Sequence, residues 1–177
     1  MKNLMMLLPL ALTFAACEGT DDTDTDLGTD ADTGMDTESD TGMEAQALVG
    51  DWTSEGENVS PLLSSETFDI VEIDASFEAD GTYEVTSVDG SGTTVTYTGT
   101  YVTDVSTTPA TITLTQLTPT EVTSEGIWEV DGTTLTYEVV QTSPDFGFVP
   151  PTPEAGFGST SGPGLVADVN VQVYVAQ

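Results

Sequence analysis

Ser124-Glu125-Gly126-Ile127-Trp128-Glu129-Val130-Asp131-Gly132-Thr133-Thr134-Leu135-Thr136-Tyr137-Glu138-Val139-Val140 holds two alternating runs around Asp131-Gly132. Asp-Gly between such runs signals a β-hairpin, because both residues accept the positive φ of a tight two-residue turn. A loop of Asp131-Gly132 would set Trp128 opposite Leu135, Gly126 opposite Tyr137 and Ser124 opposite Val139 on one face. Large side chains would meet small ones there. The other face carries Glu125, Glu129, Thr134, Thr136 and Glu138, with Ile127 its one apolar member, so one face is expected inside and one in water. In this register Glu125 faces Glu138, and Glu138→Lys is expected to raise stability by a few tenths of a kcal/mol.

Working outward, the same alternation recurs. Val71, Ile73, Ala75 and Phe77 alternate with Glu72, Asp74 and Ser76; Glu78-Ala79-Asp80-Gly81 then turns the chain into Tyr83 and Val85. Asp89-Gly90-Ser91-Gly92 is the next turn. Val95, Tyr97, Gly99 and Tyr101 alternate with threonines, as do Ile112 and Leu114, and a short strand spans Leu48 to Trp52. The last run, Ala167 to Val175, sets Val169, Val171, Val173 and Val175 on one face and Asp168, Asn170 and Gln172 on the other. Eight strands joined mostly by short turns predict an all-β domain over 45–177, an eight-stranded antiparallel up-and-down barrel, because closure removes the edges that recruit other chains. A two-sheet β-sandwich is the alternative. Residues 141–164 interrupt the pattern with five prolines and Phe146, Phe148 and Phe157. These rings are expected to plug one end of the barrel, to form a lid over its mouth, or to present a contact patch.

The N-terminus reads as an address. Residues 1–16 hold one cation, Lys2, an apolar run from Leu4 through Leu12 and the small pair Ala15-Ala16, which is the pattern of a secretory signal peptide. Residues 18–44 hold 11 carboxylates among Thr and Gly with almost nothing to bury. Such a segment does not offset the entropy of ordering and is expected to be a disordered acidic tether over 17–44.

Composition excludes whole classes of function. The chain has 31 acidic residues, one basic residue, no His and one Cys, for a formal charge of −30. Nothing in it would neutralise phosphates, so nucleic acid is not a partner. Without His, Arg or any Lys beyond Lys2, triads, Schiff bases and cationic oxyanion clamps have no residues to work with. No catalytic residue, cofactor or metal site is expected; cations should be bound only loosely, and the protein is expected to be a monomer and not an enzyme.

Two resemblances add to this. Phe14-Ala15-Ala16-Cys17 resembles the lipobox of bacterial lipoproteins, which implies cleavage before Cys17 and a lipid on its sulfur. Glu18 after it favours the outer membrane, so the resemblance implies a lipid-anchored protein of the cell envelope. Leu48-Val49-Gly50-Asp51-Trp52, Phe77-Glu78-Ala79-Asp80-Gly81-Thr82-Tyr83, Gly99-Thr100-Tyr101, Pro109-Ala110-Thr111-Ile112-Thr113-Leu114 and the opening hairpin together resemble small bacterial lipocalin-like domains. That resemblance implies a barrel taking a small apolar ligand, with Tyr83, Tyr97, Tyr101, Trp128 and Tyr137 as candidate ligand-binding residues. The alternative is a surface-displayed structural or protein-interaction module whose barrel is fully packed. Lipocalins lay an Arg across the indole of the Gly-x-Trp motif; this chain has none there, so another group is expected to cover Trp52.

Overall fold

Alternating side chains close on themselves in the computed structural model, which describes residues 46–177. The segments expected to be a signal peptide and an acidic tether, and Cys17 between them, lie outside the described residues. Eight strands follow in order: β1 (Gly50–Glu55), β2 (Ile70–Phe77), β3 (Thr82–Asp89), β4 (Thr94–Asp104), β5 (Ala110–Thr118), β6 (Val122–Asp131), β7 (Thr134–Ser143) and β8 (Gln172–Ala176). Each pairs antiparallel with the next, and β8 returns to β1, where Trp52 faces Ala176 and Thr53 faces Val175. The architecture is a closed up-and-down barrel and not a sandwich.

Inward positions repeat every second residue and carry the core. Trp52, Ile73, Phe77, Ile112, Trp128 and Leu135 are all buried in one cluster, each contributing about 1.5–3 kcal/mol by leaving water. One end is closed. There the Trp52 indole N–H donates to the Leu48 carbonyl at 2.9 Å, and Leu48 itself is fully buried. The residues before β1, not an Arg, thus satisfy this indole. Trp128 Nε1 donates to the Thr111 carbonyl at 3.3 Å, and the Tyr101 hydroxyl donates to the Glu78 carbonyl at 2.8 Å.

The Asp-led turns hold as Asx turns. Asp80 accepts from the Thr82 amide and hydroxyl, Asp89 from the amides of Ser91 and Thr93, and Asp104 from the Ser106 amide. These hydrogen bonds hold all three carboxyls below the usual aspartate range. A depressed folded-state pKa stabilises above the unfolded value and is lost as pH falls through the folded one.

The opening hairpin has the expected faces and a different register. Asp131 pairs with Thr134, Val130 with Leu135, Trp128 with Tyr137 and Gly126 with Val139. The loop is Gly132-Thr133, and Gly132 takes the positive φ of 62°. Relative to an Asp131-Gly132 loop the pairing slips by two residues, which leaves every side chain on its expected face. Glu125 therefore faces Val140 and Glu138 faces Ile127.

Those last two are not in water. Ile127 and Glu138 point out of the barrel, yet they are 0 % and 1 % exposed, and Ile127 stands apart from the barrel's core cluster. Gly158 and Thr160, in the segment 144–171 that joins β7 to β8, lie against Glu138. The Glu138 carboxylate accepts from the Gly158 amide at 2.6 Å and from the Thr160 amide at 3.0 Å, both buried. This overturns the expectation of an exposed Glu138 repelled by Glu125.

Two strands also depart from their sequence pattern. In β2 a register shift between Ile70 and Glu72 turns Val71 outward, where it is 45 % exposed. In β8 the apparent valine face is outward: Val175 is 43 % exposed, while Gln172 and Tyr174 are buried inside. Gln172 is satisfied there, since its Oε1 accepts from the Ser60 amide at 2.9 Å and its Nε2 donates to Ser54 Oγ and the Asn58 carbonyl.

Gly126 is small for a reason other than a large neighbour. A Cβ there would lie 1.9 Å from the Glu138 carbonyl oxygen and 2.7 Å from Val139 Cα, both backbone atoms of β7. Glycine at such a position lets two strands approach at a barrel corner. Gly126→Ala should cost about 1–3 kcal/mol by forcing β6 from β7. Urea melts followed by tryptophan fluorescence check this; an unchanged midpoint would mean the strands have room to part.

Candidate functional site

Opposite the closed end, the inward side chains stop short of filling the barrel. A cavity of about 420 Å³ opens there, within the range of about 300–1,000 Å³ typical of small-molecule sites. Its inner wall is Ile73, Tyr83, Leu114, Tyr137 and Tyr174, and Val85, Tyr97 and Val139 stand higher on the strands. Leu63 and Phe68, from the segment joining β1 to β2, reach its rim, and Phe68 is 50 % exposed. Backbone bonds hold that segment: the Leu62 amide donates to the Val169 carbonyl at 2.8 Å, beside the Ser60–Gln172 bond already described.

The rings of the inner wall are fixed against each other. Phe77 sits beneath them, its centroid 6.2 Å from Tyr83, 6.4 Å from Tyr137 and 5.2 Å from Tyr101. Tyr137 and Tyr174 stand edge to face, 6.2 Å apart at 84°. Edge-to-face packing adds roughly 0.5–1.5 kcal/mol to plain burial and locks ring orientation.

The hydroxyls of Tyr83, Tyr137 and Tyr174 have no hydrogen-bond partner among the described residues. The buried side-chain polar atom without a partner is Thr160 Oγ1, under the outer loop, so the phenols are not sealed in but open on the cavity. Burial pushes the Tyr83 phenol up to about 12 and lifts Tyr174 further; Tyr137 also goes well above the usual range, first by burial and then by its two phenol neighbours. All three are neutral at physiological pH.

A raised folded-state pKa stabilises below the unfolded value of about 10 and is lost as pH climbs through the folded one. The barrel should therefore hold its stability up to about pH 10 and lose it steeply between there and about 12, with tyrosinate absorbance rising together with the loss of tryptophan burial. Free titration of Tyr83, Tyr137 and Tyr174 with the fold intact would contradict this.

Of the five candidate ligand residues, Tyr83, Tyr97 and Tyr137 stand together at the cavity. Tyr101 and Trp128 do not; they pack at the closed end, each bonded to a backbone carbonyl. None of Phe146, Phe148 and Phe157 lines the cavity, and Phe146 is 45 % exposed on the outer loop. The sequence reading missed Tyr174, Gln172, Leu63 and Phe68. Tyr174 was legible as a residue of the last run, but the valines around it marked the wrong face. Leu63 and Phe68 lie in a stretch without strand or helix periodicity, where nothing local signals which side chain turns inward. Comparison with family models, curated proteins and solved structures gives no match to any of them.

Proposed function

We propose that the protein is a lipid-anchored, lipocalin-like binding module of the cell envelope whose barrel holds a small apolar ligand. The observation that carries this reading is the cavity at one open end of the barrel, walled by Tyr83, Tyr137 and Tyr174, whose phenol hydroxyls have no partner among the described residues. A barrel used only as a scaffold gains by filling that space, since cavities in a core cost stability. The site binds and does not turn over: hydroxyls, amides and rings line it, and no carboxylate does. The anchor is Cys17, with residues 18–44 as the spacer between membrane and barrel, and Glu18 after Cys17 favours the outer membrane.

A second reading, an interaction module displayed on its tether, has one observation in its favour. Phe146 and Val149 on the outer loop are 45 % and 56 % exposed. Native mass spectrometry of protein purified from its own cells separates the two. A co-purifying small molecule lost on filling the cavity with Val139→Trp supports the binding module; a bare chain that retains none, and takes up no apolar probe, supports the interaction module. The anchor is tested separately, because Cys17→Ser should abolish lipid labelling and leave the precursor uncut.

A further inference from the structure

The cavity's chemistry also selects the charge of what enters it. Four of the protein's five tyrosines, Tyr83, Tyr97, Tyr137 and Tyr174, line one space. Ring faces are electronegative, and a cation within about 6 Å of a ring centroid is attracted to them. The surrounding domain adds to the attraction. Residues 45–177 carry 20 carboxylates and no basic side chain, so the net field of the domain is negative and draws cations toward it. An anionic ligand would meet this field with no cation to receive it.

The lining also discriminates among cations. No carboxylate borders the cavity, so a primary ammonium would lose its water without gaining a charged partner. A quaternary ammonium is weakly hydrated, has no N–H to satisfy and presents methyl groups to the rings.

We propose that the barrel takes a small apolar quaternary ammonium compound, its cationic head among Tyr83, Tyr137 and Tyr174 and its apolar body toward Leu63 and Phe68. This rests on the ligand-binding reading above. Calorimetric titration of the full chain with phenyltrimethylammonium, its uncharged isostere tert-butylbenzene, and benzoate tests it. About 0.5 M sodium chloride suppresses simple adsorption to the acidic surface, since exposed charges are then screened within about 4 Å. The cation should bind at one site at least about tenfold more tightly than the isostere, with benzoate weakest. Tyr137→Leu and Tyr174→Leu should remove that preference and Tyr137→Phe should keep most of it. If the leucine variants fail to fold by circular dichroism, Tyr97→Leu on the half-buried wall should still reduce it.

Equal binding of cation and isostere would overturn the charge selection and leave the apolar-ligand reading standing. Cation binding untouched by every tyrosine replacement, or tightest binding of benzoate, would overturn it too. No binding of any of the three would remove the ligand-binding reading itself.

Discussion

Replacing Glu138 by lysine should destabilise the protein by about 3–5 kcal/mol. Two opposing effects act at this position. Exchanging a negative for a positive charge relieves long-range repulsion in an acidic domain, which at exposed sites is worth a few tenths of a kcal/mol. Against it stand two hydrogen bonds from the Gly158 and Thr160 amides to a carboxylate that is 1 % exposed. Bonds to a charged acceptor contribute roughly 1.5–3 kcal/mol each, and their donors would be left facing an ammonium. The local loss exceeds the long-range gain by about an order of magnitude.

The loop can also respond by leaving. Undocking would spare the barrel but expose Ile127, so Glu138→Lys should make residues 144–171 the first site of proteolysis and lower the urea midpoint. Glu138→Gln keeps the shape and one good acceptor, so it should fall between the wild type and the lysine variant. A Glu138→Lys chain as stable as the wild type, with the loop still protected, would show that the carboxylate does not hold the loop.

This residue shows where the sequence stops being legible. The closed barrel could be read from it because alternation with period two is set by burial on one side, and that signal repeats in every strand. The expected hairpin register was wrong by two residues, because loops of Asp131-Gly132 and Gly132-Thr133 differ by a slip that preserves every face, so the face pattern does not choose between them. Glu138 was misread for a related reason. An outward Glu on a strand means solvent unless a distant segment covers it, and the covering amides lie at Gly158 and Thr160, in a stretch without periodicity. One clue was present: Ile127, directly opposite Glu138, is the apolar member of an otherwise polar face.

The candidate site divides in the same way. Tyr83, Tyr97 and Tyr137 could be placed inside from strand parity alone. Parity says nothing about height along the barrel, so it could not separate them from Tyr101 and Trp128 at the closed end. In β8 parity itself misled, because Gln172 is buried on the strength of three hydrogen-bond partners that come from Ser54, Asn58 and Ser60. A buried amide with such partners outranks the preference of valine for the interior.

Salt should raise the melting temperature, and by a large amount. With 20 carboxylates and no basic side chain in residues 45–177, no Asp or Glu there has a cationic side chain to pair with. Closure of the barrel brings like charges together, as where Glu55 of β1 stands directly opposite Glu72 of β2. Each such pair costs only tenths of a kcal/mol. The sum over the domain is what matters, because every long-range interaction among these charges has the same sign and compaction shortens all of the distances. Between 0.01 M and 1 M salt the Debye length falls from about 30 Å to about 3 Å, from more than the domain's radius to less than the spacing of most surface charges. Screening relieves the folded state more than the expanded one, by several kcal/mol, which corresponds to a rise on the order of 10 °C for a domain of this size. Among the described residues no three potential metal ligands gather at one point. Calcium at matched ionic strength is expected to act on residues 46–177 through screening, and a saturable step at low concentration there would point to a specific carboxylate site. Thermal melts by circular dichroism in both salts read the outcome. A melting temperature that is flat or falls toward 1 M sodium chloride would mean that the carboxylates of the folded barrel are already neutralised and that their repulsion does not oppose folding.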